Sequence, residues 1–108
     1  MAMALLVCAP CFAKGRINKD QLDYLRGHPV FYKFIPQKEG PMPLVVVLLH
    51  GSLRNGWVMA DLWKSSAEHA GFMIAAPDSS DPCGWTPRAD PAELFHAIVK
   101  RMSAEHAV

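Results

Sequence analysis

The chain has 108 residues, of which 51% are hydrophobic and 19% are charged, so we expect a packed core rather than a disordered protein. Eleven Lys and Arg against ten Asp and Glu leave a net charge of +1, which argues against a basic surface for nucleic acid or anionic lipid. No apolar run approaches the roughly eighteen residues of a membrane-spanning helix, so no membrane span is predicted.

The chain begins with an almost wholly apolar leader, residues 1–13, which ends in Cys11-Phe12-Ala13. Small residues at the two outer positions of this tripeptide are what a signal peptidase reads, but the leader lacks a basic start and is short for a secretory signal. Two interpretations stay open. One is a signal peptide cut short at its start, which implies a periplasmic or secreted protein; the other is an apolar N-terminus of a cytoplasmic protein. The predicted domains are this leader and one unit over residues 14–108.

The cysteines do not predict a disulfide scaffold, because the chain has only three, Cys8, Cys11 and Cys83. Cys8 and Cys11 have the C-x-x-C spacing of a redox pair or of half a zinc site. That spacing lies in the apolar leader, without a preceding strand or a second C-x-x-C. We therefore expect no metal site and no other cofactor.

The first predicted elements are a weak helix over residues 20–25 and a strand over residues 30–35, which is rich in aromatic and β-branched side chains. A turn-forming stretch over residues 37–43 follows. Residues 44–49 read Leu-Val-Val-Val-Leu-Leu and do not alternate with polar residues. This pattern is typical of a central strand in a parallel sheet, with both faces covered.

A strand-helix-strand unit is predicted next. A loop over residues 50–56 leads into a helix over residues 57–70, and Gly71 suits the left-handed position that ends a helix. The apolar stripe of this helix is expected to comprise Val58, Leu62, Trp63, Ala67 and Ala70. A strand over residues 72–76 completes the unit, whose crossover we expect to be right-handed.

The last predicted elements are a long irregular segment, residues 77–89, and a final helix. Segments of that length in compact domains are usually functional or mobile. Asp90 is expected to cap the helix, with Pro91 in its first turn. Another strand would be due after this helix. The predicted fold class is α/β, with a mostly parallel sheet and crossover helices, incomplete after the last helix.

The loop over residues 50–56, His-Gly-Ser-Leu-Arg-Asn-Gly, lies where open α/β sheets bind ligands, beyond the carboxyl ends of the strands. It matches the opening of a phosphate-binding G-x-x-x-x-G loop, but Trp57 and Val58 stand where Lys and Ser or Thr are needed. A second interpretation is an oxyanion hole, which requires fixed N–H groups aimed at a developing negative charge. The third is a structural turn that needs glycine.

The wider pattern favours the oxyanion hole. Residues 50–56, then Ala-Ala-Pro-Asp-Ser over residues 75–79, then Gly84-Trp85, resemble bacterial esterases related to polyhydroxybutyrate depolymerases and feruloyl esterases, which have the α/β-hydrolase fold. The resemblance covers about residues 28–108. It implies an oxyanion loop at Gly51 and Ser52, with the Ser52 N–H as donor.

The resemblance also suggests a substrate pocket. Leu53 stands where relatives often have a small residue, so it would narrow the acyl site or tilt the loop. Trp57 and Trp85 would be either walls of the pocket or ordinary packing residues. The implied ligand is a carboxylic ester, such as a polyester or an aryl ester.

The catalytic residues of an α/β-hydrolase do not follow from the resemblance. These enzymes have a G-x-S-x-G nucleophile elbow, followed by Asp or Glu and then by His. No G-x-S-x-G occurs in the 108 residues, so we assign no nucleophile, acid or base. Catalytic triads are recognised by their geometry and not by the order of their residues in the sequence. A triad that contains Ser52, Asp78 and a histidine therefore stays open as a minor alternative.

Two hypotheses of function result. The first is the N-terminal fragment of a serine-dependent carboxylic-ester hydrolase, which carries the oxyanion loop but lacks the nucleophile elbow and is inactive by itself. The alternative is a non-catalytic protein, either a truncated or degenerate α/β chain or a small ligand-binding α/β module. We also expect the strand over residues 44–49 to be an open edge through which the chain self-associates.

Overall fold

Four strands and two helices make up the part of the chain that the computed structural model describes, residues 15–37, 44–81 and 83–106. The elements are β1 (Ile17–Gln21), β2 (Val30–Phe34), β3 (Val45–Val47), α1 (Gly56–Ala70), β4 (Met73–Pro77) and α2 (Ala92–Glu105). Neither helix of this described part is long and apolar enough to cross a membrane. The predicted leader, residues 1–13, lies outside the described residues.

The strands form one mixed sheet in the order β1-β2-β4-β3. β3 and β4 run parallel, with Val46 opposite Ile74, and α1 is the crossover between them. β2 runs antiparallel to both β4 and β1. The α/β class is confirmed, but the mostly parallel sheet is found only in the β3-α1-β4 unit. β1 and β2 are joined by a short loop, which permits antiparallel pairing and is too short for a parallel crossover.

The helix that the sequence predicted over residues 20–25 is not formed: residues 20 and 21 end β1, and residues 22–25 lie in the loop to β2. The five residues of β1 pair in register with β2, from Ile17 opposite Phe34 to Gln21 opposite Val30. The chain then turns, and the Leu22 N–H donates to the Pro29 carbonyl oxygen at 2.9 Å. Pairing with β2 therefore outweighs a local helical preference that was weak to begin with.

The helices cover opposite faces of the sheet, and β4 contributes side chains to both. All five residues of β4 are buried, and the first four, residues 73–76, alternate between two apolar clusters. The α2 face includes Phe31, Met73, Ala75, Leu94, Ile98 and Met102. The α1 face includes Phe34, Ala60, Ala67, Ile74 and Ala76.

β3 differs from the predicted central strand. It spans only Val45–Val47, all three residues are half-buried, and within the described residues it pairs on one side alone, with β4. Leu44 and Leu49, which flank it, are 55% and 47% exposed. In the described part of the chain β3 is therefore an edge strand, which agrees with the expected open edge and not with a strand covered on both sides.

α1 confirms the predicted helix and its ending. The Asn55 side chain caps it by accepting from the Val58 N–H at 3.0 Å, and Gly71 ends it with φ of 83°. The buried residues of α1 are Gly56, Ala60 and Ala67. Leu62 and Trp63, which the sequence placed on the apolar stripe, are 70% and 43% exposed. Of the predicted stripe only Ala67 is buried, because at about 100° per residue Val58 and Leu62 lie far round the helix from it.

α2 begins one position later than its predicted cap. Its N-cap is Pro91, which supplies no side-chain hydrogen bond, and Asp90 turns back into the preceding loop instead. Leu94, Ile98 and Met102 are buried at the spacing of one helix face.

A charged cluster joins β1, β2 and α2. The Asp20 carboxylate accepts from Lys33 Nζ at 3.3 Å and from an Arg101 guanidinium nitrogen at 2.9 Å, and Lys33 also contacts Glu105 at 3.0 Å. Burial raises the pKa of the Asp20 carboxyl, but the Gln21 backbone N–H and the Lys33 and Arg101 charges outweigh burial and hold that pKa below its usual value. The carboxylate therefore stays charged in the folded chain at neutral pH.

Candidate functional site

Three loops meet at the carboxyl edge of the parallel strand pair. Residues 48–55 follow β3 and residues 78–91 follow β4. The loop over residues 22–29 precedes β2, which reaches the same edge because β2 is antiparallel to β4. The Asp78 N–H donates to the Val30 carbonyl oxygen at 3.0 Å and joins the start of the 78–91 loop to the start of β2. This is the edge at which the sequence predicted a site.

The predicted oxyanion loop is a tight turn from Gly51 to Arg54. The Arg54 N–H donates to the Gly51 carbonyl oxygen at 3.2 Å, and Leu53 has φ of 62°. Positive φ at the second central position is the arrangement of a type II turn, which normally has glycine there. The Leu53 side chain is 77% exposed, so it gains little packing in return.

The turn presents free backbone donors. Gly51 and Ser52 are both exposed, and no group among the described residues accepts a hydrogen bond from the N–H of either one. Gly51 also has open space where a side chain would be. Fixed, unpaired N–H groups are what an oxyanion hole requires.

The His50 ring contacts backbone groups of this turn and of the loop after β4. The ring is buried, with 4% of the residue exposed. Nδ1 lies 2.7 Å from the Gly51 carbonyl oxygen, and Nε2 accepts from the Ser79 N–H at 3.0 Å. Both ring nitrogens are thus engaged by backbone groups, and neither is left to act as a base for the Ser52 hydroxyl. This geometry contradicts a triad in which His50 serves Ser52.

Trp85 contacts His50 through a hydrogen bond and through ring packing. The indole Nε1 donates to the His50 carbonyl oxygen at 2.9 Å, and the two ring centroids are 4.9 Å apart. The indole also lies near the Phe95 ring, with centroids 6.0 Å apart. Sequence reasoning missed the roles of His50 and Trp85, because no local pattern predicts contacts between residues 35 positions apart.

Gly56 fixes the start of α1 against the end of β4. Its N–H donates to Asp78 Oδ1 at 2.7 Å, and a Cβ atom built on it would lie only 2.0 Å from the Ala76 carbonyl oxygen. Glycine is needed here for close approach, not for flexibility. The Asp78 carboxylate is therefore occupied as a helix anchor. Burial, followed by the charge of Asp78, raises the pKa of the neighbouring Tyr32 hydroxyl.

Asp90 organises the long segment after β4. Its buried carboxylate accepts from the Ser80 N–H at 2.9 Å and from the Thr86 N–H at 3.1 Å. The Ser80 hydroxyl adds a bond to the Ala89 carbonyl oxygen at 3.1 Å. The segment is irregular, as predicted, and these bonds draw its two ends together.

The predicted pocket residues do not line the cleft that the structure shows at this edge. Leu53 and Trp57 are exposed, and half-buried Trp85 packs on His50, so their place in a substrate pocket stays a prediction. A cleft of about 640 Å³ lies farther along the same edge. It is lined by residues of the 22–29 and 78–91 loops and by the start of α2, including Arg26, Ser80, Arg88, Glu93 and Leu94.

Metal-binding groups are scattered. Among residues 15–37, 44–81 and 83–106, no three His, Cys, Asp or Glu side chains lie close enough together to hold a metal ion. Cys83 is free and exposed, whereas Cys8 and Cys11 lie outside the described residues.

Comparison with known proteins gives a structural likeness alone. No protein-family model matches the chain, and no curated protein matches it. The chain is similar to the crystal structure of LpqC, a poly(3-hydroxybutyrate) depolymerase from Bordetella parapertussis, with 23% identity and a TM-score of 0.63. The match covers 83% of this chain and 39% of that chain. This chain therefore has the fold of a part, about two-fifths, of that depolymerase.

Proposed function

We propose that this chain is the N-terminal part of a serine-dependent carboxylic-ester hydrolase and contributes its oxyanion loop. Gly51 and Ser52 are the proposed loop residues, with the Ser52 N–H as the main donor. The nucleophile, the acid and the base would come from other residues of a longer hydrolase, since the chain contains no G-x-S-x-G. These 108 residues would not hydrolyse esters by themselves.

One observation carries the proposal: the free N–H groups of Gly51 and Ser52 lie in a hydrogen-bonded turn at the carboxyl edge of the sheet. In ester hydrolysis, serine attack turns the acyl carbonyl oxygen into an oxyanion, and His acts as general base. An N–H held about 2.7–3.1 Å from that oxygen stabilises it more than it stabilises the substrate. The likeness to part of a depolymerase supports this assignment through the fold.

The substrate proposed is an ester with an apolar acyl or aryl group. Leu53 and Trp57 place large apolar side chains within a few residues of the donor, and they are 77% and 46% exposed. Such surfaces favour an apolar group over a charged one. A polyester and an aryl ester both fit this description.

The test transfers the loop into a complete enzyme. In a chimaera, His50–Gly56 replaces the superposed segment of the B. parapertussis depolymerase, and depolymerisation of poly(3-hydroxybutyrate) is measured. We expect the chimaera to retain activity within about tenfold of its parent. Ser52→Pro deletes the donor at a turn position that favours proline, and we expect it to lower kcat by about 10²–10³-fold.

Ser52→Ala is the matched control, because it removes the hydroxyl and keeps the backbone N–H. We expect it to be as active as the unmodified chimaera. If a folded Ser52→Pro chimaera matches Ser52→Ala in kcat, the loop is not an oxyanion donor. If Ser52→Ala alone abolishes activity, the hydroxyl matters instead of the N–H.

A further inference from the structure

The contacts of the His50 ring determine its tautomer. A backbone N–H can only donate, so Nε2, which faces the Ser79 N–H at 3.0 Å, carries no proton. The Gly51 carbonyl oxygen can only accept, so Nδ1, 2.7 Å away, carries the ring proton and donates it. Both bonds form together only in the neutral ring with its proton on Nδ1.

The bond to Gly51 also sets the direction of a neighbouring N–H. The peptide group between Gly51 and Ser52 is planar and trans, because no peptide bond among the described residues is cis. The Gly51 C=O and the Ser52 N–H therefore point in opposite directions. The same oxygen accepts from the Arg54 N–H at 3.2 Å, so two donors hold it. With the oxygen held toward His50, the Ser52 N–H is aimed away from the ring.

We propose that His50 is a positioning residue that aims the Ser52 N–H through the Gly51 carbonyl, while its Nε2 ties the turn to the loop after β4. The catalytic importance of the Ser52 N–H direction rests on the proposed oxyanion function. The direction itself is inferred from the contacts of the His50 ring alone.

The surroundings of the ring keep this arrangement in place. His50 is 4% exposed, so water has little access to compete for either nitrogen. Trp85 packs on the ring and also donates to the His50 carbonyl oxygen. The ring, the indole and the Ser79 N–H thus join the loops after β3 and β4 in one hydrogen-bonded unit. Neither loop can shift without breaking one of these hydrogen bonds.

The first experiment measures the tautomer directly. In the ¹⁵N-labelled 108-residue chain at neutral pH, the ring nitrogens of His50 are assigned by long-range ¹H–¹⁵N correlation. We expect one protonated nitrogen, Nδ1, and one unprotonated nitrogen, Nε2. A proton on Nε2, or on both nitrogens, overturns the proposal without any variant being made.

The second experiment uses two variants that each keep one half of the contact. The Asn side-chain NH₂ reaches about where Nδ1 lies, so His50→Asn keeps a donor for the Gly51 carbonyl. The Gln side-chain oxygen reaches about where Nε2 lies, so His50→Gln keeps an acceptor for Ser79. The residual dipolar coupling of Ser52 reports the direction of its N–H, and hydrogen exchange at Ser79 reports whether its N–H is bonded.

The two variants have opposite expected results. In His50→Asn the Ser52 coupling stays near its wild-type value while Ser79 exchanges faster. In His50→Gln the Ser79 N–H stays protected and the Ser52 coupling changes. Unchanged α1 and β4 resonances in each variant establish that it is folded. If the Ser52 coupling is the same in both variants, whether altered or not, His50 does not aim this N–H.

The chimaera separates this proposal from the proposed function. There we expect His50→Gln to lower kcat by about 10–100-fold, as displaced groups at reaction centres do, and His50→Asn to retain most activity. If Ser52→Pro leaves the chimaera fully active, the oxyanion function fails. The tautomer and the two couplings still decide whether His50 aims the N–H.

Discussion

Leu53 adopts a backbone conformation that leucine ordinarily avoids. With φ of 62°, it brings its Cβ close to the following carbonyl oxygen, which costs a non-glycine residue about 1–2 kcal/mol. Its side chain is 77% exposed and recovers little of that cost by packing. The turn nevertheless keeps the Gly51–Arg54 hydrogen bond on which the proposed site depends. Strain of this kind lies beside the proposed donor, as it often does at functional sites.

Leu53→Gly is expected to raise the free energy of unfolding by about 0.5–1 kcal/mol, since relief of the positive φ exceeds the extra entropy of glycine in the unfolded chain. Leu53→Ala is the control, because it shortens the exposed side chain and keeps the strain, and we expect a change within about 0.5 kcal/mol. Urea unfolding followed by circular dichroism measures both. Equal stability of the two variants would mean that the turn is not strained.

Single-residue features were predictable from the sequence only where the cause is local. The left-handed ending at Gly71 follows from glycine after a helical pattern and is found with φ of 83°. The positive φ of Leu53 could not be predicted from the sequence, because leucine has no preference for this backbone conformation. The His50–Ser79 bond joins residues 29 positions apart, so it depends on how β3 and β4 align.

At the scale of the elements, the start of α1 is the best-defined junction at the candidate site. Asn55 caps the helix, and the Gly56 N–H binds Asp78 at the end of β4. The backbones approach so closely that any side chain at Gly56 would overlap the Ala76 carbonyl oxygen. These contacts fix the position of the turn before α1, and therefore of the proposed Ser52 N–H donor, relative to the end of β4.

Gly56→Ala is therefore expected to destabilise the chain by about 3 kcal/mol or more, because the helix must move away from β4. The gain in helix propensity from alanine, roughly 1 kcal/mol, is smaller. Gly51→Ala is the matched control in the same loop. It has nothing within 4 Å of its added Cβ, and we expect a change within about 0.5 kcal/mol. Thermal unfolding compares the two, and a stable Gly56→Ala chain would contradict the contact.

The elements with strong local patterns were predicted well. β2, α1 and β4 lie within one residue of their predicted bounds, and α2 begins close to its predicted start. β1 was missed because its sequence, Ile-Asn-Lys-Asp-Gln, has no strand-like run, and its pairing with β2 defines it. Asp90 matches a helix-cap pattern, but its carboxylate accepts from the Ser80 and Thr86 N–H groups instead. The conformation of the loop before α2, which a local helix pattern does not predict, brings these groups to Asp90.

At the scale of the whole molecule, β3 presents an open edge within the described residues. Leu44 and Leu48 bond to β4 through the Leu44 carbonyl oxygen and the Leu48 N–H. Alternate residues of a strand face the same neighbour, so the backbone groups of Val45 and Val47 point away from β4. Exposed Leu44 and Leu49 lie at the two ends of this edge. An edge with unpaired backbone groups and apolar flanks favours pairing with another chain.

We expect the 108-residue chain to self-associate through this edge, so that its size-exclusion elution volume falls as its concentration rises. Leu44→Lys places a charge beside the edge and should shift the chain toward monomer. Leu62→Lys is the control, because Leu62 is also an exposed leucine, at 70% against 55% for Leu44, but lies on α1 and not beside β3. A wild-type chain that elutes as a sharp monomer at every concentration would contradict self-association, and equal effects of the two lysines would place the contact elsewhere.

The charged cluster around Asp20 has a consequence for synthesis on the ribosome. Asp20 leaves the exit tunnel early, whereas Arg101, which binds it at 2.9 Å, is translated 81 residues later. The α2 face of the sheet likewise has no cover until Leu94, Ile98 and Met102 have emerged. This face of the sheet, which includes Phe31 of β2, can therefore be covered only after the residues of α2 have been synthesised.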